Sequence, residues 1–173
     1  MIKDSKSAES LAKILSEALP YIQKFSGKIV VIKYGGSAMK ENKLRQNFAR
    51  DIALMRQIGI FPVLVHGGGP QIERNLKKHN IKSVFIDGLR KTDENSIKTI
   101  VKTLREVNGD IAELIKTWGA RTKTFNDVRE SILICKKIKT KIDLGFVGDI
   151  TKVDSGLIKK NIFSGKIPVI API

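Results

Sequence analysis

Apolar residues recur along the chain as helical stripes and short continuous runs. The first stripe predicts a helix over about residues 5–25, and its apolar positions are Ala8, Leu11, Leu15, Ala18 and Ile22. Pro20 is expected to kink or divide this helix, because proline removes a helical hydrogen bond. The apolar face has two possible partners, another subunit or the chain's own domain.

Beyond this helix, apolar runs that predict strands alternate with stripes that predict helices. Strands are predicted at 28–34, 61–65, 82–86, 131–135, 142–147 and 167–170. Helices are predicted over 44–59, from Pro70, from Thr92 or Asp93 to Gly119, and from Asp154 or Ser155 to Phe163. Residues 121–130 show no clear pattern. Alternating strands and helices indicate an α/β fold with a largely parallel sheet.

A glycine-rich segment follows the predicted strand 61–65. His66 is followed by Gly67, Gly68 and Gly69, and Pro70 then opens a helical segment. Residues without Cβ allow a ligand to approach backbone N–H groups, and a helix start adds further donors. The segment therefore predicts a site for phosphate or carboxylate. The alternative is a tight turn whose glycines serve packing only.

A second glycine pair, Gly35 and Gly36, follows the first predicted strand. Lys33 lies two residues before it, where its charge could reach a phosphoryl group held by the loop. Without that loop, Lys33 would be interpreted as an ordinary surface lysine. Neither glycine segment matches G-x-x-x-x-G-K-[ST] or G-x-G-x-x-G, which argues against a P-loop protein and a Rossmann dehydrogenase.

Arg90 lies in a third polar segment, Gly88 to Asp93, just before the long helix. Its planar guanidinium suits a carboxylate. The alternative is a structural salt bridge to Asp87 or Asp93.

Composition narrows the class of protein. The 173 residues are 42% hydrophobic and 28% charged, which is typical of a globular domain. No apolar run approaches the roughly 20 residues that span a bilayer. Cys135 is the only cysteine, which fits a reducing cytoplasm, and it forms no metal-binding set with His66 and His79.

The net charge is +15, from 32 Lys and Arg against 17 Asp and Glu. The lysines are spread along the whole chain and do not alternate with aromatic residues, so a nucleic-acid stacking surface is not indicated. We interpret the charge mainly as a solvated, lysine-rich surface biased towards anionic ligands. A nucleic-acid-associated basic protein is the weaker alternative.

The two glycine segments and the segment that contains Arg90 together resemble the N-acetyl-L-glutamate kinases of the amino acid kinase family. The resemblance rests on Val31 to Gly36, Val65 to Ile72 and Gly88 to Asp93, supported by Val107-Asn108 and by Asp143 to Asp149. It runs from about Ile29 to Ile173 in the same order and spacing. It implies a three-layer αβα sandwich with a mostly parallel central sheet.

The resemblance also implies roles for these residues. Lys33 would be catalytic. Gly35, Gly36, His66, Gly67, Gly68 and Gly69 would form the phosphoryl- and substrate-binding loops, and Arg90 would bind a carboxylate of N-acetyl-L-glutamate. The reaction would be ATP-dependent phosphorylation of the acetylglutamate side chain in arginine biosynthesis, with Mg²⁺ accompanying ATP. No resident metal site, membrane or nucleic-acid partner is expected.

In the same way, the resemblance implies two parts and several partners. Residues 1–26 would be a helical extension that joins copies of the chain into an oligomer, and residues 27–173 would be the acetylglutamate-binding lobe. Feedback by arginine and a PII-type regulator are implied for the complete cytoplasmic enzyme.

Members of the family are longer than this chain, which departs from their pattern at Arg121 to Asp127 and ends shortly before their substrate-binding asparagine and catalytic aspartate. We therefore expect the acetylglutamate half of a kinase, with most of the nucleotide site in the missing half. On its own the chain is expected to be inactive. The alternative is a non-catalytic anion-binding or assembly module.

Overall fold

The structure is a computed structural model that describes residues 5–39, 41–127 and 132–173. It contains five α-helices, eight strands and one short 3-10 helix within those residues. The helices are α1 (Ser5–Phe25), α2 (Asn42–Gln57), α3 (Gly69–Lys78), α4 (Glu94–Lys116) and α5 (Ser155–Phe163), with the 3-10 helix at Gly36–Met39. The strands are β1 (Ile29–Tyr34), β2 (Phe61–His66), β3 (Val84–Ile86), β4 (Leu89–Lys91), β5 (Arg121–Phe125), β6 (Leu133–Lys137), β7 (Gly148–Val153) and β8 (Lys166–Ile170).

A four-stranded parallel sheet of order β1-β2-β8-β5 forms the centre of the molecule. Two antiparallel hairpins, β3–β4 and β6–β7, lie outside it. The predicted α/β class with a mostly parallel sheet is therefore confirmed. The two interior strands carry the buried prolines Pro62 and Pro168.

Helices cover both faces of this sheet. On one face, α2 and α4 pack on the sheet through a core that includes Ala53, Leu64, Ile115 and Val169. On the other face, α5 packs on β2, β5 and β8 through a core of Val63, Phe125, Ile132, Ile162 and Ile170. Alternate residues of β2 thus enter opposite cores, as expected for a strand buried on both sides. The result is the expected three-layer αβα sandwich.

The packing of α3 on α4 brings the end of β2 close to the middle of the long helix. Ile72 and Leu76 of α3 meet Ile100 and Leu104 of α4 in a third apolar cluster. The start of α4 is fixed by Asp93, whose side chain accepts a hydrogen bond from the Ser96 N–H at 2.8 Å. This packing places the glycine-rich turn before α3 directly against α4.

The N-terminal helix α1 runs through Pro20 without a break, so the expected division of the helix is wrong. Proline removes a single helical hydrogen bond, and the turns on either side keep theirs. None of the described side chains of α1, from Ser7 to Phe25, is buried. No described helix is long and apolar enough to cross a membrane.

Two further predictions of secondary structure are corrected. Residues 142–147 do not form a strand, because Gly145 has a positive φ of 73° and the segment instead bonds to Thr92 through its backbone. The predicted turn at Gly148-Asp149 is instead the start of β7. Part of the strand predicted at 131–135 falls outside the described residues, which resume at 132, and β6 begins at Leu133.

Two strands of the structure are not predicted from the sequence. Arg121–Phe125 had no clear pattern and forms β5, which pairs with β8 along its whole length. Leu89–Lys91 forms β4, the second strand of a hairpin that turns at Asp87 and Gly88. The long helix predicted to reach Gly119 ends at Lys116, so Trp118 follows the end of α4, and it is 45% exposed.

Candidate phosphate and carboxylate site

The two glycine segments meet at the carboxyl edge of the sheet. Strands β1 and β2 pair in parallel, with Tyr34 opposite His66, so Gly35 and Gly67 leave the sheet side by side. The Gly67 N–H donates to the Tyr34 carbonyl at 2.9 Å and joins the two loops. In open α/β sheets this edge is where ligands bind.

Packing explains only one of the three glycines after β2. A Cβ on Gly68 would lie 2.8 Å from Cδ2 of Leu104, so the Leu104 side chain would have to shift to admit a side chain there. A Cβ on Gly67 or Gly69 would meet no atom within 4 Å. The two flanking glycines therefore leave open space beside the backbone, and the packing-only alternative accounts for Gly68 alone.

Backbone donors without partners lie beside this space. Gly68 caps helix α3 without any side-chain hydrogen bond, and Pro70 occupies the first turn, where its missing N–H costs nothing. The N–H groups of the first helical turn have no intrahelical partner. Among the described residues, no backbone carbonyl accepts a hydrogen bond from the Gly68 N–H. Such donors, with the positive end of the helix dipole, suit an anion.

Lys33 lies at the end of β1 with an exposed side chain. It is opposite Val65 in the sheet, on the face of β1 that points away from α2. No described residue forms a hydrogen bond or ion pair with its ammonium group. The lysine is therefore available to an anion at the strand end.

The side chain of His66 is buried, with 1% exposure, and both ring nitrogens have partners. Nδ1 is 2.8 Å from the Gly67 carbonyl, and Nε2 is 2.9 Å from Nδ2 of Asn108 on α4. Burial lowers the pKa of His66, an effect that the Gly67 carbonyl partly offsets. His66 is therefore a neutral group beneath the glycine turn.

Arg90 is held at the base of the β3–β4 hairpin by three neighbours. Its Nη1 donates to Oε2 of Glu73 at 3.1 Å and to the Ser83 hydroxyl, and its guanidinium lies 4.5 Å from the centre of the Phe85 ring. Ser83 and Arg90 together hold the pKa of the Glu73 carboxyl below its ordinary value. The alternative interpretation of Arg90 is a structural salt bridge to Asp87 or Asp93. The structure shows a salt bridge to Glu73 instead.

Arg90 also contributes to a cleft of about 930 Å³ between the start of α4 and the β6–β7 hairpin. Cys135, Lys137 and Phe146 also line it, as do Ile72 of α3 and Leu104 of α4. Neither glycine loop lines the cleft, but Leu104 is the residue that approaches Gly68. Leu104 is therefore a neighbour of both the cleft and the glycine turn.

The structure thus places the predicted site residues in two adjoining groups. Lys33, the two glycine loops and His66 lie at the sheet edge, whereas Arg90 lies in the cleft. Sequence reasoning did not identify Glu73 and Ser83, for which no local pattern exists. Asn108 belongs to the Val107-Asn108 pair that supports the family resemblance, and a polar residue between the apolar Val107 and Ile111 is a signal of a buried hydrogen bond.

The described residues contain no cluster of three or more His, Cys, Asp or Glu side chains that could hold a metal ion. The donor set at the sheet edge consists of N–H groups and a lysine, which bind anions rather than cations.

Several known proteins are similar to this chain in sequence. The model of the amino acid kinase family matches residues 28–173. The chain is 45% identical over 163 residues to the acetylglutamate kinase of Clostridium beijerinckii, covering 94% of this chain and 57% of that protein. It is 42% identical over 174 residues to the acetylglutamate kinase of Neisseria meningitidis serogroup C, covering 96% of this chain and 58% of that protein. The chain therefore spans less than two thirds of these relatives.

Solved structures share the fold. The N-acetylglutamate synthase of Neisseria gonorrhoeae, solved with coenzyme A and N-acetyl-glutamate, superposes with a TM-score of 0.78 at 24% identity, over 91% of this chain and 36% of that one. The protein smu.665 of Streptococcus mutans UA159 gives a TM-score of 0.74 at 24% identity, over 83% of this chain and 58% of that one. Taken with the family model, which spans all but the N-terminal helix, these findings show that the chain belongs to the amino acid kinase family.

Proposed function

We propose that this chain carries the acetylglutamate- and phosphoryl-binding part of an acetylglutamate kinase, which phosphorylates the side-chain carboxylate of N-acetyl-L-glutamate with ATP in arginine biosynthesis. The observation that carries the proposal is the junction of the two glycine loops, where the Gly67 N–H bonds to Tyr34. It is supported by the acetylglutamate kinases at 42–45% identity. Because the chain spans only 57–58% of those proteins, the remainder of the nucleotide site is proposed to lie in the part that it does not match.

The reaction requires two anions to meet. A carboxylate oxygen of acetylglutamate attacks the γ-phosphorus of ATP, a new O–P bond forms, and the bond to the leaving ADP oxygen breaks. Because a carboxylate is already ionised at neutral pH, no general base is needed. This fits a site whose only nearby histidine is buried with both nitrogens occupied.

The chain's cations and backbone donors would lower the barrier by positioning and by charge neutralisation. We assign the N–H groups of Gly36, Gly68 and Gly69 to the transferred phosphoryl group and to the acetylglutamate carboxylate that receives it. The Gly67 N–H, expected to be a further donor, is already bonded to the Tyr34 carbonyl, so Gly67 and Gly35 support the loops. Lys33 would offset the charge that develops on that group. Arg90 would hold a carboxylate of acetylglutamate on the cleft side.

The described residues fit a phosphate group of ATP but do not fit Mg²⁺. The open N–H groups and Lys33 fit a phosphate, as the space around Gly67 and Gly69 indicates. The described residues offer no carboxylate cluster that fits a divalent cation, so no step is assigned to a metal on this chain.

We further propose that residues 1–26 form an extension through which copies of the chain associate, and that residues 27–173 form the binding lobe. The support is α1 itself, where Leu11, Ile14, Leu15 and Leu19 are 43–59% exposed. Arginine feedback and a PII-type regulator are part of the same proposal for the complete, cytoplasmic enzyme.

Calorimetric titration with N-acetyl-L-glutamate tests the substrate assignment. Arg90→Ala should weaken binding by about 1–3 kcal/mol, the usual loss for a charged hydrogen bond. Lys91→Ala, an exposed neighbour in the same strand, is the matched control and should bind as the wild type does. Equal affinity of the Arg90→Ala variant and the wild type would contradict the assignment.

An ADP-release assay with saturating ATP, Mg²⁺ and acetylglutamate tests catalysis. The 173-residue chain should turn over very poorly, because the phosphoryl donor is held from one side only. In a complete enzyme, Lys33→Ala should lower turnover by orders of magnitude with little change in acetylglutamate affinity, whereas Lys28→Ala should leave both unchanged. Robust, Lys33-dependent turnover by this chain alone would show that its site is already complete.

A further inference from the structure

A single backbone carbonyl fixes the orientation of a buried amide beneath the glycine turn. The Asn108 side chain has no exposed surface, and its Nδ2 is 3.0 Å from the carbonyl oxygen of Val169 on β8. A carbonyl oxygen can only accept a hydrogen bond. The Asn108 atom that faces Val169 must therefore be the NH₂ group, and the reversed amide would place two oxygens in contact.

The orientation of Asn108 in turn fixes the tautomer of His66. The second N–H of the Asn108 amide points at Nε2 of His66, 2.9 Å away. Nε2 must therefore accept and carry no proton, which leaves the proton of the neutral ring on Nδ1. Nδ1 lies 2.8 Å from the Gly67 carbonyl, so the His66 ring donates to that oxygen.

The hydrogen bond to Gly67 has a consequence for the next amide. In a planar trans peptide the C=O and N–H bonds point in opposite directions. Holding the Gly67 carbonyl against the buried ring therefore turns the Gly68 N–H away from it. That N–H has no carbonyl acceptor among the described residues, and the space beside Gly67 and Gly69 is open.

We propose that Asn108 and His66 are positioning residues, which hold the Gly67–Gly68 peptide so that the Gly68 N–H presents itself to the anionic ligand. The proposal rests on the function proposed above. The relay runs from Val169 on β8 through Asn108 on α4 to the end of β2, so it joins three elements that meet only in the folded protein.

A purely structural role would not need this arrangement. The Oδ1 atom of Asn108 is buried and has no hydrogen-bond partner among the described residues, which is unfavourable for stability. A leucine here, together with an apolar residue at position 66, would fill the same space without an unpaired polar side-chain atom. The amide is thus retained at a cost to stability, as expected when it orients a functional group.

Two substitutions of His66 separate its two contacts. His66→Asn can place an N–H at the position of Nδ1, next to the Gly67 carbonyl, but cannot reach Asn108. His66→Gln can place an acceptor near Nε2, next to Asn108, but offers nothing at Nδ1. Each variant keeps one hydrogen bond, so loss of stability alone does not distinguish them.

The experiment combines thermal unfolding, calorimetric titration with N-acetyl-L-glutamate, and ¹H–¹⁵N NMR of the imidazole and of the Gly68 amide. In the wild type the imidazole shifts should show the proton on Nδ1. His66→Asn should keep the Gly68 amide shift near that of the wild type and bind within about threefold, whereas His66→Gln should move that shift and bind at least about tenfold more weakly, as for one lost hydrogen bond.

Several outcomes would overturn the inference: a proton on Nε2, equal displacement of the Gly68 amide in both variants, or affinities that follow thermal stability rather than the Gly67 contact. If the variants do not fold, the tautomer of His66 in the wild type decides whether the positioning role holds: a proton on Nδ1 supports it and a proton on Nε2 overturns it. If the wild type does not bind acetylglutamate, the proposed function fails, and the tautomer and the Gly68 shifts still decide the positioning role.

Discussion

Oε2 of Glu73 lies 3.1 Å from Nη1 of Arg90 and ties helix α3 to strand β4. The arginine that we assign to a ligand carboxylate is therefore already paired, on one edge, with a carboxylate of the protein. The Glu73 side chain is 55% exposed and that of Arg90 only 15%. The pair both restrains Arg90 and neutralises part of its attraction for an anion.

Glu73→Gln should tighten the binding of acetylglutamate. The amide oxygen can still accept from Arg90 and Ser83, so the restraint remains while the competing charge is lost. An exposed ion pair contributes about 0.2–1 kcal/mol, so we expect an increase in affinity of about 1.5- to 5-fold at low salt, diminishing at high salt. Calorimetry at two ionic strengths measures this, with Glu113→Gln as the control of equal charge on α4. Weaker binding by the Glu73 variant would show that its charge is needed to position Arg90.

The glycines after β2 should separate stability from binding. Gly68→Ala should destabilise the protein by about 1–3 kcal/mol, because its Cβ would press on Leu104. Gly69→Ala has open space and should leave stability unchanged or raise it, yet weaken ligand binding by about 0.5–1.5 kcal/mol. Gly109→Ala, an open helical glycine in α4, controls for the gain in helix propensity. Denaturant unfolding and titration of the three variants test this, and unchanged binding by Gly69→Ala would contradict it.

His66 should make stability depend on pH. Burial lowers the pKa of His66 in the folded state below its ordinary value of 6.5, so the unfolded chain binds the proton more tightly. The wild type should therefore lose stability, relative to His66→Asn, as the pH falls from above 6.5 towards the folded pKa, at a rate of at most about 1.4 kcal/mol per pH unit. Urea unfolding of both proteins between pH 8 and about pH 5 measures the difference between their free energies of unfolding. The titration of the carboxylates contributes equally to both proteins and therefore cancels in this difference. A difference that does not change with pH would show that the ring protonates equally in both states.

Cys135 reports on the cleft, because it is exposed, forms no disulfide and lines the same cleft as Arg90. Saturating acetylglutamate should slow its reaction with a thiol reagent several-fold. Cys135→Ser combined with Ser16→Cys moves the thiol to α1, where the ligand should have no effect. Equal protection in both proteins would indicate a global change rather than occupancy of the cleft.

The apolar face of α1 should control association. Leu15→Asp places a charge on a side chain that is 59% exposed in the single chain, and it should shift the protein to a lower mass in sedimentation experiments over a range of concentrations. Ser16→Asp adds the same charge to the neighbouring exposed position and should leave the mass unchanged. Identical masses for both variants and the wild type would contradict association through this face.

The elements that could be predicted are those whose signals are local. The apolar run of β2, its glycine turn and the Asp93 cap each depend on a few consecutive residues, and each is confirmed. The β3–β4 turn is not among the predictions, although Asp87 and Gly88 form the Asp-Gly pair typical of tight hairpins and both have positive φ. The strand β4 that follows was not predicted.

The elements that were missed depend on partners far along the chain. Arg121–Phe125 carries charged side chains and becomes a strand because β8 supplies its backbone hydrogen bonds. The Glu73–Arg90 pair exists only because the hairpin folds back onto α3. Likewise, the contact between Asn108 and Val169 joins residues that are 61 positions apart.

The position of β8 between β2 and β5 determines when the sheet can form during synthesis. Until Lys166–Ile170 has left the ribosome, β5 has no neighbour in the sheet and β2 pairs only with β1. The apolar side chains that the two cores later enclose must remain exposed for that time, when they are open to aggregation. We therefore expect cooperative folding that is completed late, and nascent chains that stop before residue 166 should depend strongly on chaperones.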